Sequence, residues 1–218
     1  MSILLLLILG VIFVFQEILL KEQPTPSVEI FPLWLSRVDL MCFLFINRKL
    51  AFPFLDFFFV SITHVGSLIF WLIVAVFLWL KGRTREAFIL TLALVLGSLT
   101  ILPMRTFLPR ARPFMVLDAR IFRIEGGYSF PSGHATNSFV SATVLGKKIR
   151  KIKPFLYILA VVVGYSRVYV GVHWPLDVIV GAFVGWIVGS LTLNLEKRLS
   201  ESRFRIFEVK RIGTGSRT

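Results

Sequence analysis

Residues 57–80 read FFFVSITHVGSLIFWLIVAVFLWL, 24 positions without one Asp, Glu, Lys or Arg. A helix needs about 20 such residues to cross the hydrocarbon of a bilayer. The run stops at Lys81, Arg83 and Arg85. This stretch predicts a membrane-spanning helix, and the rest of the chain reads outward from it.

Downstream, residues 87–102 form a further apolar span, ended by Pro103. Residues 104–130 are a polar loop. Residues 131–146 open a span rich in Ser, Ala, Thr and Gly, small residues that let helices approach closely. Residues 155–172 form the next span, with Arg167 near its end. Residues 176–195 form the last, starting just after Trp174-Pro175, as suits a proline in a helix's first turn. Upstream, residues 3–20 are a first span weakened by Gln16 and Glu17. No Lys or Arg precedes that run and no A-x-A-like site follows it, so it reads as a retained helix and not a signal peptide. Residues 21–29 are a polar connector. Residues 30–50 are broken by Arg37, Asp39 and Asn47. The spacing of Leu33/Trp34, Met41 and Leu44/Phe45 there predicts an amphipathic helix lying in the interface.

The expected fold is therefore all-α, an integral membrane bundle of six transmembrane helices with an interfacial helix between the first two. Residues 1–195 form the membrane domain and 196–218 a basic tail. Composition agrees: 56% of the 218 residues are hydrophobic and mean hydropathy is +0.80, beyond what a soluble domain carries. The net charge of +13 is clustered between apolar runs. It reads as membrane topology and not as a nucleic-acid face. Cys42 is the only cysteine, so there is no intrachain disulfide and no cysteine-rich metal site.

With six spans, the loops 81–86 and 147–153 and the tail share one side with the N-terminus. They hold most of the Lys and Arg outside the spans, which makes that side cytoplasmic. The loop after the third span, the start of the fourth and the turn before the sixth then face outward together.

Three motifs occupy those three places. They are Arg105-x6-Arg112-Pro113, Pro131-Ser132-Gly133-His134 and Ser166-Arg167-x5-His173-x3-Asp177. Arg105, Arg112 and Arg167 supply planar forks that bind phosphate oxygens in pairs. Ser132 and Gly133 begin a helix whose free N–H groups favour an anion, and His134 is placed to protonate a leaving oxygen. His173 and Asp177 are four apart at a helix start. A carboxylate on one imidazole nitrogen fixes the tautomer and frees the other nitrogen to attack phosphorus. Arginines bracketing the histidines repel a divalent metal, so the pattern reads as a metal-free anion pocket. His64 reads as a packed, hydrogen-bonded histidine.

In order and spacing these motifs resemble the type 2 phosphatidic acid phosphatase superfamily, over Arg105 to Asp177. One position departs, since Arg105 stands where the family's pattern begins with lysine, and Arg110 falls where members often have arginine. The resemblance implies an all-helical membrane lipid phosphatase without metal or cofactor. Arg105, Arg112, Ser132, Gly133 and Arg167 would bind phosphate. His134 would be the general acid, His173 the nucleophile and Asp177 its partner. The substrate would be a phosphorylated lipid held in the bilayer, such as undecaprenyl diphosphate, phosphatidic acid, phosphatidylglycerophosphate or lipid A. Two other classes share features of the pattern: a vanadate-dependent haloperoxidase, and a silent lipid-binding protein. The expected location is the cell membrane, with the site on the extracytoplasmic face and both termini cytoplasmic.

Overall fold

The computed structural model describes residue 27 and residues 30–214, with side chains to residue 201. The expected first span, residues 3–20, lies outside the described residues. Among the described residues the fold is all-helical, with one isolated bridge between Ser27 and Arg110. The order is α1 (Leu33–Leu44, prolonged by a π turn Phe45–Lys49), α2 (Pro53–Ile62), α3 (Leu68–Leu80) and α4 (Thr84–Phe107). Then come α5 (Pro113–Val116), α6 (Gly133–Lys148), α7 (Lys153–Tyr169) and α8 (Pro175–Thr214).

The apolar stripe of α1 exists, but it points away from the bundle. Leu33, Trp34, Met41 and Phe45 are exposed, while Asp39, Phe43 and Asn47 face inward and are buried. Asn47 ties this element to the bundle. Its amide donates to the carbonyls of Arg120 at 2.9 Å and Tyr169 at 2.8 Å, and it accepts from Arg120 N at 2.9 Å.

Residues 57–80 do not make the single straight helix their composition predicts. A 3-10 turn at Thr63–Gly66 separates α2 from α3, and the two helices are bent by 61°. Ser67 starts α3 as its cap, accepting from Phe70 N at 3.1 Å, as serine does well. Gly66 is required by contact, because a Cβ there would lie 2.6 Å from Val163 Cγ1 and 2.8 Å from His134 Cβ. His64, expected to be packed, is exposed on this turn, and its neighbour Thr63 is buried instead.

A second correction concerns Pro103. Helix α4 runs through it to Phe107, so Arg105 stands on the helix's last turn and not in a loop. A proline removes one backbone donor, and here the helix continues for one further turn.

Helix α6 is the axis of the bundle, packed against α8, α7, α4 and α3. Its 16 residues span only about 24 Å, and protein surrounds nearly all of it. Its small side chains meet a row of glycines on α8. A Cβ at Gly181 would lie 2.6 Å from Ser132 O, and one at Gly185 would lie 2.4 Å from Thr136 O. Thr136 Oγ1 donates across this seam to Gly181 O at 3.1 Å.

Among the described residues three helical segments are long and apolar enough to cross a membrane: Thr84–Phe107, Arg150–Tyr169 and Pro175–Glu201. The count is four if the bent α2–α3 pair is one span. Large apolar side chains on these helices point outward, including Phe57, Ile69, Phe77, Phe155, Ile158 and Phe183. Arg167 and Asp177, by contrast, are turned inward and buried. That inversion is what a lipid solvent demands. Helix α8 continues without a break past residue 195 to Thr214.

The glycine seam yields a test. Gly185→Ala should lower the Tm by several degrees, because overpacking against backbone costs about 1–3 kcal/mol. Gly97→Ala meets only Val140 Cγ2 at 3.4 Å and Thr136 Cγ2 at 3.6 Å and should leave the Tm equal or higher. Thermal unfolding of both variants in detergent checks the pair.

Candidate active site

At one end of the bundle the last turn of α4, the loop behind it, the first turn of α6 and the α7–α8 turn converge. The α7–α8 turn is shaped by Gly171, whose φ of +82° favours glycine and whose Cβ would lie 2.4 Å from Arg120 O. It delivers His173, about 1% exposed, to the middle of the site.

Arg112 lies beside that imidazole. Its Nη1 lies 3.4 Å from His173 Nε2 and donates to Val172 O at 2.9 Å. Its Nε and Nη2 each donate at 3.0 Å, to Gly127 O and Gly126 O. Arg167, buried at the end of α7, donates to Thr63 Oγ1 at 2.8 Å. Arg105 donates to Pro131 O at 3.4 Å, and its Nη2 would lie 3.0 Å from a Cβ at Gly133. The missing side chain at Gly133 is thus the space in which the Arg105 guanidinium rests. Ser132 caps α6: its Oγ accepts from Ala135 N at 3.5 Å and its own N–H donates to Asp177 O at 3.0 Å. His134, half-buried on the first turn, is within electrostatic reach of Arg167, His173, Arg105 and Arg112. All eight residues singled out from the sequence therefore meet at this end.

One expected contact is looser than anticipated. His173 Nδ1 and Asp177 Oδ2 are 3.6 Å apart, beyond hydrogen-bond range, and Nδ1 has no hydrogen-bond partner among the described residues. Asp177 spends its oxygens elsewhere. Oδ1 accepts from Arg110 Nη1 at 2.7 Å, and Oδ2 from Trp174 N at 2.9 Å. The second contact is half of a capping box, an acidic side chain reaching back to the amide at the helix start.

Three further groups belong to the site, of which only Arg110 was noted for it from the sequence. Glu125 bridges two of the arginines, 2.5 Å from Arg167 Nη2 and 3.3 Å from Arg112 Nη1. Arg110, two residues before Arg112, is buried and paired with both Asp177 and Asp39. Asp39 carries a signal that was available, since a carboxylate inside an apolar stretch has a partner or a function. Nothing local marks Glu125, one acidic residue in a long polar loop.

The electrostatics follow from burial. His173 is pushed well below 6.5, first by burial and then by Arg112 and Arg167, so its ring is neutral at neutral pH. Burial lowers Arg112 to about 10, aided by Arg105 and Arg167 and opposed by Glu125. Burial would raise Glu125, but Arg167, then His173 once its ring is protonated, then Arg112 outweigh it and hold the carboxyl at about 2. The result is a cluster of guanidiniums beside an uncharged imidazole, spanned by one carboxylate. That carboxylate's two oxygens stand in for the oxygens of an anion.

An all-helical membrane bundle with buried arginines gathered round a histidine defines an anion-handling membrane protein. The chain belongs to the PAP2 superfamily, whose family model matches residues 86–201. An undecaprenyl-diphosphatase of Sulfolobus acidocaldarius is 35% identical over 146 residues, 63% of this chain and 68% of that one. A lipid A 4'-phosphatase of Porphyromonas gingivalis is 32% identical over 174 residues, 72% of each chain. Among solved structures, Aquifex aeolicus LpxE superposes with a TM-score of 0.68 at 35% identity, covering 77% of this chain and 99% of that one.

The Glu125 bridge predicts an acid-sensitive fold. A carboxyl held below its ordinary 4.5 by two arginines contributes stability at neutral pH. For a depressed carboxyl this contribution is present above pH 4.5 and is lost as the pH falls toward 2. Glu125→Gln should therefore have a lower Tm than wild type at pH 7, and the gap should close between those values. Tm against pH for both proteins checks it.

Proposed function

We propose that this protein is an integral membrane lipid phosphatase that works through a phosphohistidine at His173. The observation that carries the proposal is the geometry at His173 Nε2. It is a neutral nitrogen, 3.4 Å from a guanidinium of Arg112, beside an arginine cluster already arranged around carboxylate oxygens. Phosphoryl transfer is catalysed mostly by positioning and by stabilising charge on the equatorial oxygens, and this site supplies both. The relatives' names, an undecaprenyl-diphosphatase and a lipid A 4'-phosphatase, support a phosphorylated lipid as substrate.

The chemistry follows from the residues. Arg112, Arg167 and Arg105 hold the phosphate oxygens, joined by the α6 N-terminus at Ser132 and Gly133. His173 Nε2 attacks phosphorus while the bond to the leaving oxygen breaks, and His134 gives that oxygen a proton. A water then attacks the phosphohistidine. His134 takes its proton, the P–N bond breaks, and inorganic phosphate leaves. Asp177 supports the imidazole from the Nδ1 side. No step calls for a metal: the charge on phosphate is met by arginines. Among the described residues no three His, Cys, Asp or Glu group as metal ligands.

In the full arrangement we propose six spans. Residues 3–20 and α6 join the helices above, and α1 lies in the interface with its apolar face in lipid. The basic loops at residues 81–86 and 147–153 and the tail from residue 196 are cytoplasmic. The site then opens on the extracytoplasmic face, and the lipid tails remain in the bilayer while the headgroup enters from the side.

The test is inorganic phosphate release by the protein in nanodiscs, with EDTA present, from undecaprenyl diphosphate, phosphatidic acid, phosphatidylglycerophosphate and lipid A. Wild type should release phosphate from at least one of them. His173→Ala should release none above background, and His134→Ala should lower kcat by about 10²–10⁴-fold. Folded wild-type protein that releases phosphate from no lipid, or undiminished release by His173→Ala, contradicts the proposal.

A further inference from the structure

Behind His173 lies a cluster that the transfer step itself does not use. Asp39 on α1, Arg110 in the loop and Asp177 on α8 are 2%, 2% and 0% exposed. Arg110 donates from Nη2 to Asp39 Oδ2 at 2.6 Å and from Nη1 to Asp177 Oδ1 at 2.7 Å. Its guanidinium carbon lies 4.9 Å from the Trp174 ring and 5.2 Å from the Phe31 ring. Asp39's second oxygen accepts from Leu176 N at 2.8 Å. Asp177's second oxygen accepts from Trp174 N and is the one facing His173 Nδ1.

One cation shared by two carboxylates has a net charge of −1, and that number is the point of interest. A lone Arg110–Asp177 pair would be neutral, and its field at the imidazole would largely cancel. Burial raises Asp39 above its ordinary value, opposed by Arg110 and the Leu176 amide. Yet both Asp39 oxygens receive N–H donors, an arrangement that satisfies the ionised form. The same holds for Asp177. A net negative cluster behind Nδ1 is what the ring requires when Nε2 carries a phosphoryl group, because the ring then bears positive charge.

Resting on the phosphohistidine reading, we propose that Asp39 is a positioning residue for catalysis. It takes up half of Arg110, so that Asp177 keeps its negative charge toward His173. Helix α1 thereby contributes to the reaction from a position where it touches no substrate.

The test separates charge from scaffolding. Asp39→Asn removes the charge and nearly keeps the shape, leaving the cluster neutral. It should lower kcat on the order of 10- to 100-fold, as expected for one charge at short range in a protein interior, with KM changed less than about twofold. The double variant Asp39→Asn/Arg110→Gln removes one charge of each sign and returns the cluster to −1. It should recover much of the kcat lost in Asp39→Asn. If Asp39 only anchors α1, the double variant has lost two anchors and will be worse than the single one, which overturns the proposal. Unchanged kcat in Asp39→Asn overturns it equally. Should Asp39→Asn fail to fold, Asp39→Glu retains the charge. A kcat within a few-fold of wild type supports the proposal, and a folded but inactive Asp39→Glu overturns it.

A parallel readout needs no lipid. Phosphoramidate donates its phosphoryl group to an imidazole nitrogen and leaves as ammonia, and mass spectrometry reports the labelling rate of His173. Labelling slowed by Asp39→Asn and restored in the double variant supports the proposal even if no lipid is hydrolysed, in which case only the lipid substrate is wrong. Labelling at the wild-type rate in Asp39→Asn overturns it. No labelling in wild type overturns the phosphohistidine reading and this proposal together.

Discussion

An arginine cannot stay unpaired inside a membrane bundle, and this fold buries three of them around one histidine. Arg110, Arg112 and Arg167 are each 4% exposed or less. Removing one partner from such an ion costs several kcal/mol. The molecule answers with Asp39, Asp177 and Glu125, the hydroxyl of Thr63 and the carbonyls of Gly126, Gly127 and Val172. These partners come from α1, the α2–α3 break, the long loop, the α7–α8 turn and α8. Satisfying the arginines therefore determines where each of those segments sits.

The same constraint explains why the site is organised before any ligand arrives. Glu125 spans Arg112 and Arg167 as a phosphate would, so the guanidiniums are held in place by a group that belongs to the chain. On the proposed function, an entering phosphate would exchange with a carboxylate and would not have to gather scattered cations against their mutual repulsion. His173 is kept neutral first by burial and then by Arg112 and Arg167, so on the proposed function one arrangement would serve both binding and nucleophilicity. Loop 117–127 is in turn fastened by Asn47 to the Arg120 backbone, by Arg120 to Asp56, and by Arg48 to Asp118.

The residues that meet at the candidate site were largely legible in the sequence because their motifs depend on local spacing. Ser132 and Gly133 open a helix, and His173 and Asp177 flank another, wherever the rest of the chain goes. The all-helical, membrane character was legible from hydropathy. The break at Gly66-Ser67 was not, since its causes are a cap hydrogen bond and the approach of Val163 and His134, which are distant in sequence. The apolar stripe of α1 was read from the sequence and turns to the outside; the burial of Asp39 was not, because its partner Arg110 is distant in sequence. Glu125 has meaning only once Arg112 and Arg167 are side by side. Its role is a property of the tertiary structure, with no counterpart in the order of residues around it.

The central claim is that His173 Nε2 carries the phosphoryl group. Its most direct test is to quench the protein during turnover of a labelled lipid phosphate and map the modified residue by mass spectrometry under alkaline conditions, where phosphohistidine survives. The account predicts a single label, acid-labile and on His173. A label on His134, on a serine or on a carboxylate would contradict it.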